Sequence, residues 1–117
     1  MSFAIRLALS LFVLSQLACG PITASTKIDE AKSQVIKAAS LGAPKYAPFE
    51  YQGALLYLEK AREEEGYAYY QDAVKLAKEA FQLALDAQRV TREKIREERL
   101  EQESKNEDAE SARGGQR

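Results

Sequence analysis

Through the middle of this chain, apolar residues fall at intervals of three and four, and charged residues fill the gaps. Ile28, Ala31, Val35, Ala38 and Ala39 keep that spacing, which puts them on one face of a helix. Thr26 stands ahead of them as an N-cap, with Asp29 and Glu30 in a first turn where the helix dipole favours anions. Gly42 and Pro44 predict the end of this helix. A second helix opens at Pro48, because a proline in the first turn gives up an N–H that has no partner there. Tyr51, Ala54, Leu55, Leu58 and Ala61 form its stripe, while Glu59, Lys60 and Glu63 to Glu65 face water. Gly66 is expected just past its last turn.

The third helix is predicted to begin between Tyr67 and Tyr70. Ala73, Ala77, Ala80, Ala84 and Ala87 recur at 4-3-4-3 along it, flanked by Leu76, Leu83 and Val90 and widened by Phe81 and Leu85. A seam of small side chains lets another helix approach closely, so the face of residues 51–61 is expected to pack antiparallel against it. Past Thr91 the pattern dissolves. From Arg92 to Glu110, thirteen of nineteen residues are charged, and Ile95 and Leu100 stand five apart, wrong for one face. Lys94 with Glu98, Arg99 with Glu103, and Glu101 with Lys105 form i,i+4 pairs that each support a lone helix by roughly a few tenths of a kcal/mol. This segment reads as a solvated extension that frays after Lys105, with residues 111–117 disordered. A coiled-coil partner surface is the other reading, and the segment lacks the heptad it would need. The expected fold is therefore all-α: a small antiparallel helical hairpin or three-helix bundle over residues 27–90, with a long charged C-terminal helical extension and tail over residues 91–117.

The start of the chain has a different texture. Residues 1–18 carry the three parts of a secretory signal peptide: a short start with Arg6, an apolar run from Leu7 to Ala18, and a small residue at the expected cleavage point between Ala18 and Cys19. A membrane-crossing helix needs about 20 apolar residues. This run falls short of that, and an uncleaved single-pass protein is the alternative reading. Cys19 is the only cysteine. It has no disulfide partner in the chain and no histidine or second thiol with which to hold a metal. The stretch "LSQLACG" resembles a bacterial lipobox, with Ala18 at the small position and Gln16 where that pattern carries an apolar residue. The resemblance implies acyl chains on Cys19, which would anchor the protein in a membrane, since each buried methylene contributes about 0.8 kcal/mol. Residues 19–26 are then the lipidated cysteine and a short flexible tether. No Asp follows Cys19, which implies the periplasmic face of the outer membrane rather than retention at the inner one.

Between "YAPFEY" and "LALDA" the chain resembles a family of uncharacterised bacterial envelope lipoproteins: a Tyr-Ala-Pro segment opens a helix, an acidic hairpin follows, then an alanine-rich helix. The likeness runs from about Ile28 to Ala87 and belongs to a domain of unknown function. Tyr70, Ala73, Ala77 and Ala80 are also similar in spacing to the second helix of a tetratricopeptide repeat, a match that ordinary helical-hairpin packing also explains. Lys60 and Glu64 stand where that repeat's first helix carries Leu and Tyr.

Composition narrows the chemistry. The 17 basic and 18 acidic residues nearly balance, so there is no basic excess to neutralise a phosphate backbone and no nucleic-acid partner is expected. The chain has no histidine. General acid-base work would fall to carboxylates, and Glu63, Glu64 and Glu65, being adjacent, splay around a helix instead of converging. No catalytic residue, metal or cofactor is expected. The tyrosines offer the other surface: Tyr57, Tyr67, Tyr69 and Tyr70 are candidate partner-binding residues near the helix junctions. The blander account has Tyr67 and Tyr70 capping the hairpin end of the core. The expectation is a non-enzymatic, lipid-anchored periplasmic module with an envelope protein as its partner; the alternative is a peptidoglycan- or peptide-binding module that uses the tyrosines.

Overall fold

The computed structural model describes residues 19–115, and the leader expected over residues 1–18 lies outside the described residues. Among the described residues four helices follow one another: α1 (Cys19–Leu41), the single turn α2 (Ala43–Tyr46), α3 (Pro48–Gly66) and α4 (Tyr70–Gly114). The fold is all-α. Three long helices run up, down and up. Gly20 lies beside Tyr70, Gln34 beside Gln88 and Tyr46 beside Glu98, so α1 travels parallel to α4. Between them α3 runs the other way, with Gly53 against Leu83 and Ser25 of α1 donating to Glu65.

The core is a set of alanines. On α1 the buried residues are Ala24, Ile28, Ala31, Val35 and Ala38; around α3 they are Ala47, Ala54, Leu58 and Ala61; on α4 they are Ala73, Ala77, Ala80, Ala84 and Ala87. The series on α1 and α4 alternate steps of four and three. The one around α3 runs in steps of seven, four and three, with half-buried Tyr51 at the skipped position. This heptad spacing keeps one seam facing the partner helices. Ala24, Ala31 and Ala38 recur every seventh residue, as do Ala47, Ala54 and Ala61. The helices come close enough that a methyl group on Gly53 would meet Leu83 Cδ1 at 3.1 Å. A seam this tight admits few larger side chains, and Ile28, Val35 and Leu58 are the ones buried in it. Tyr51, Leu55, Leu76, Phe81 and Leu83 pack around it only partly buried.

The two turns explain where the chain reverses. Gly42 sits at φ 95, a conformation glycine adopts without the strain a Cβ brings; Tyr46 and Ala47 then reach back to Gly42 and Ala43 to close α2. Ala47 leaves the helical region at φ −137, ψ 56, and Pro48 starts α3 as expected. At the other end Gly66 is still helical, which corrects its expected place past the last turn. The left-handed position belongs to Ala68, at φ 63. Tyr69 N–H donates to Glu64 O at 2.9 Å and Ala68 N–H to Glu65 O at 3.0 Å, the paired bonds of a Schellman termination. Those two bonds hold an alanine where glycine would be easier.

Three expectations are corrected along the helices. The segment 19–26 is helical, not a flexible tether. Pro21 lies in the first described turn, and burial of Ala24 extends the packed seam by one heptad. Thr26 is not an N-cap, since its hydroxyl donates to Ile22 O at 2.8 Å inside α1. At the far end α4 is continuous over 45 residues, about 68 Å at 1.5 Å per residue, and does not fray after Lys105. Residues 111–114, expected to be disordered, belong to it.

Two changes test this account. Ala80→Leu overfills the seam and is expected to lower stability by about 1–3 kcal/mol. Ala68→Gly relieves the left-handed strain and is expected to raise it by about 0.5–1 kcal/mol. Urea denaturation followed by circular dichroism reads both, and an unchanged midpoint in either variant contradicts its premise.

Candidate functional site

Because alanines fill most of the seam, several large apolar side chains of α3 and α4 lie at the surface between those helices. Phe49, Gln52, Gly53 and Leu56 follow one another at helical spacing along the outer face of α3. Gly53 has no side chain, so Leu83 of α4 forms the floor there. Phe49 and Leu56 rise on either side, 83% and 59% exposed. With Pro48, Tyr57 and Glu79 they enclose an open groove of about 750 Å³. Its walls are mostly apolar and its only ionisable groups are the Tyr57 phenol and the Glu79 carboxylate, so it suits the apolar side chains of a peptide or helix. The sequence reading singled out Tyr57 and missed Phe49, Leu56 and Leu83 as a unit. Its signal was the i, i+3, i+4, i+7 spacing of residues 49, 52, 53 and 56, a second stripe beside the core stripe of α3.

The other candidate tyrosines are elsewhere. Tyr67 and Tyr69 lie in the α3–α4 turn with ring centroids 6.3 Å apart, and both are largely exposed. Tyr67 therefore does not cap the core. The left-handed Ala68 between them turns the chain so that both rings reach solvent. Tyr70 is half-buried and lies against Gly20 of α1, where it lines a shallow notch with Thr23 and Val74. Tyr57 shares neither place.

A third cluster holds the start of the charged extension. Tyr46 donates its hydroxyl to Glu98 Oε2 at 2.8 Å and accepts from Lys45 Nζ at 2.9 Å, while Lys94 Nζ donates to the Tyr46 carbonyl at 2.6 Å. The hydrogen bond to Tyr46, followed by the charge interactions with Tyr46 and Glu98, holds the Lys45 ammonium above its ordinary pKa. Lys94 and Glu98 were expected to pair with each other; both turn instead to Tyr46. Glu101 and Lys105 do form their expected pair, at 3.9 Å. Beyond Glu98 every described residue of α4 is exposed.

Nearer the middle, Gln88 donates Nε2 to the backbone carbonyl and the side-chain oxygen of Gln34, at 3.2 and 3.1 Å. Thr91 is fully buried, and its hydroxyl has no hydrogen-bond partner among the described residues. Among those residues no three carboxylate or thiol groups gather to hold a metal ion. No described helix is long and apolar enough to cross a membrane.

The bundle and its extension coincide with one family model, a domain of unknown function (DUF4398), which matches residues 26–113. The chain belongs to the DUF4398 family. The match reaches well past Ala87, where the sequence likeness was placed, so this DUF4398 domain includes the charged part of α4. No curated protein and no solved structure matches the chain.

The Tyr46 cluster makes a prediction. Tyr46→Phe is expected to leave the unfolding midpoint of the bundle nearly unchanged while speeding amide hydrogen exchange around residues 94–101. Mass spectrometry of exchanged peptides reads the change, and unaltered protection there would show that the Glu98 bond orders nothing.

Proposed function

We propose that this DUF4398 protein is a non-enzymatic, lipid-anchored periplasmic module that holds another protein of the bacterial envelope. The observation that carries the reading is the apolar groove between α3 and α4: a ready-made surface for an apolar partner, with one tyrosine and one carboxylate and no converging nucleophile and base. The membrane attachment rests on the sequence around Cys19, where the apolar run of residues 7–18 ends at the first residue of α1. The outer membrane's periplasmic face is the proposed location. The tetratricopeptide likeness enters only as a second instance of helical-hairpin packing around small residues.

A peptidoglycan- or peptide-binding role for Tyr57, Tyr67, Tyr69 and Tyr70 acting together finds less support, because Tyr57 lines the groove on the flank while the other three lie at the end of the bundle.

The reading has a two-part test in cells. Cys19→Ser is expected to abolish fatty-acid labelling and move the protein from membranes to the soluble periplasmic fraction. A photo-crosslinking residue at Leu56 is expected to trap one dominant protein adduct, which Phe49→Glu removes without loss of helix content. Labelling that survives the serine change overturns the anchor, and an adduct indifferent to Phe49→Glu overturns the groove as the holding surface.

A further inference from the structure

At the end of the bundle where α1 begins, three large side chains are exposed near the Glu65 carboxylate, which accepts from Ser25 of α1. Tyr67 and Tyr69 are 66% and 60% exposed in the α3–α4 turn, and Ile22 is 68% exposed one turn into α1. Contact of Tyr70 with Gly20 puts that turn beside the start of α1. None of the residues 19–26 or 66–71 is charged. The apolar stretch of residues 7–18, outside the described residues, joins the chain at this same end.

We propose that this tip is a membrane-docking surface: Tyr67, Tyr69 and Ile22 settle into the headgroup region of the bilayer, and the bundle stands upright on it with α4 pointing away. The inference rests on the membrane attachment proposed above and adds which surface meets the lipid. Three observations carry it. Tyrosine rings favour the interface between headgroups and hydrocarbon, with the ring body in the apolar layer and the hydroxyl in water. The chain is helical from Cys19 onward, so no slack separates an anchor at that residue from the bundle. Ile22 lies only about 4.5 Å along the helix axis from Cys19. Whether acyl chains or a retained apolar segment make the attachment, the lipid surface is brought to this end. The tip carries no Lys or Arg, so docking does not depend on anionic lipid.

Since α1 and α4 run parallel, the opposite end of the molecule carries Lys45, Tyr46 and the departing charged helix. The groove at Phe49 and Leu56 opens on the side of the bundle and stays clear of the membrane.

The chain contains no tryptophan, so a single introduced indole is a clean reporter. The full chain, exported and purified from membranes in detergent, is reconstituted into phosphatidylcholine vesicles with brominated acyl chains. Tyr69→Trp and Tyr67→Trp are expected to show blue-shifted emission and several-fold stronger bromine quenching than Leu100→Trp, at low and high salt alike. Circular dichroism checks that each variant keeps its helix content, and the two neighbouring reporters guard against a fault in either one. Emission from both tip reporters as unquenched as from Leu100→Trp overturns the proposal, as does a blue shift produced by purified peptidoglycan but not by vesicles. The intact mass of the same preparation reads the attachment separately. Acyl-bearing protein with unquenched tip reporters sinks the docking alone, whereas quenched reporters on protein with an unmodified Cys19 sink the lipid anchor and leave the docking standing.

Discussion

Close packing of alanine against alanine is the constraint on which the rest of this molecule depends. An alanine side chain is one methyl group and loses no rotamer freedom on burial, so a seam built from it permits near approach of the helices but removes little apolar area from water per residue. A bundle held this way needs length. The buried series runs from Ala24 to Ala38 on α1, from Ala47 to Ala61 around α3 and from Ala73 to Thr91 on α4. The same closeness leaves room for only a few larger side chains, Ile28, Val35 and Leu58, and keeps the others at the margin. Leu55, Leu76, Phe81 and Leu83 support the seam from its edges, and Phe49, Leu56 and Tyr57 are left on the surface as walls of a groove. The candidate binding surface is thus a by-product of how the core is made.

The seam also sets where the bundle stops and the extension begins. Thr91 is the last residue of α4 in heptad step that is buried, and its unpartnered hydroxyl marks the place where the apolar series gives out. The next two positions in step are Lys94 and Glu98. They keep facing the rest of the bundle but meet Tyr46 through hydrogen bonds instead of methyl contacts. Packing hands over to polar contacts within two turns, and past Glu98 α4 has only its own i,i+4 charges to rely on.

Much of this was legible in the sequence because the periodic signal is strong. The five alanines of α4, the stripe of α3 and the face of α1 predicted most of the buried set. Ala39 shares the spacing but is exposed, Tyr51 and Leu55 are only partly buried, and Ala24 and Ala47 are buried without having been expected. Turn chemistry was legible where glycine and proline carried it, at Gly42 and Pro48. It was not legible at Ala68, because the tendency to choose glycine for a left-handed position pointed to Gly66, two residues too early. What put Ala68 there was the register of two backbone hydrogen bonds to Glu64 and Glu65, which no side chain announces. The Tyr46–Glu98 contact was hidden for a related reason. The two residues are far apart in the chain, and local pairing rules matched Glu98 with Lys94.

The start of α1 has the widest consequence. A Gly-Pro pair after Cys19 reads locally as a break, because neighbouring residues alone favour a tether there. Tertiary packing overrides it: Gly20 admits the Tyr70 ring at a distance where an added methyl group would sit 3.2 Å from it, and Ala24 is sealed into the seam. Glycine at this point therefore serves contact between helices. With the tether gone, the direction of α1 fixes the direction of everything else. The end that begins at Cys19 carries the tyrosine turn, the opposite end launches the charged helix, and the groove lies on the flank between them. The short stretch that looked least structured is what gives the molecule an orientation.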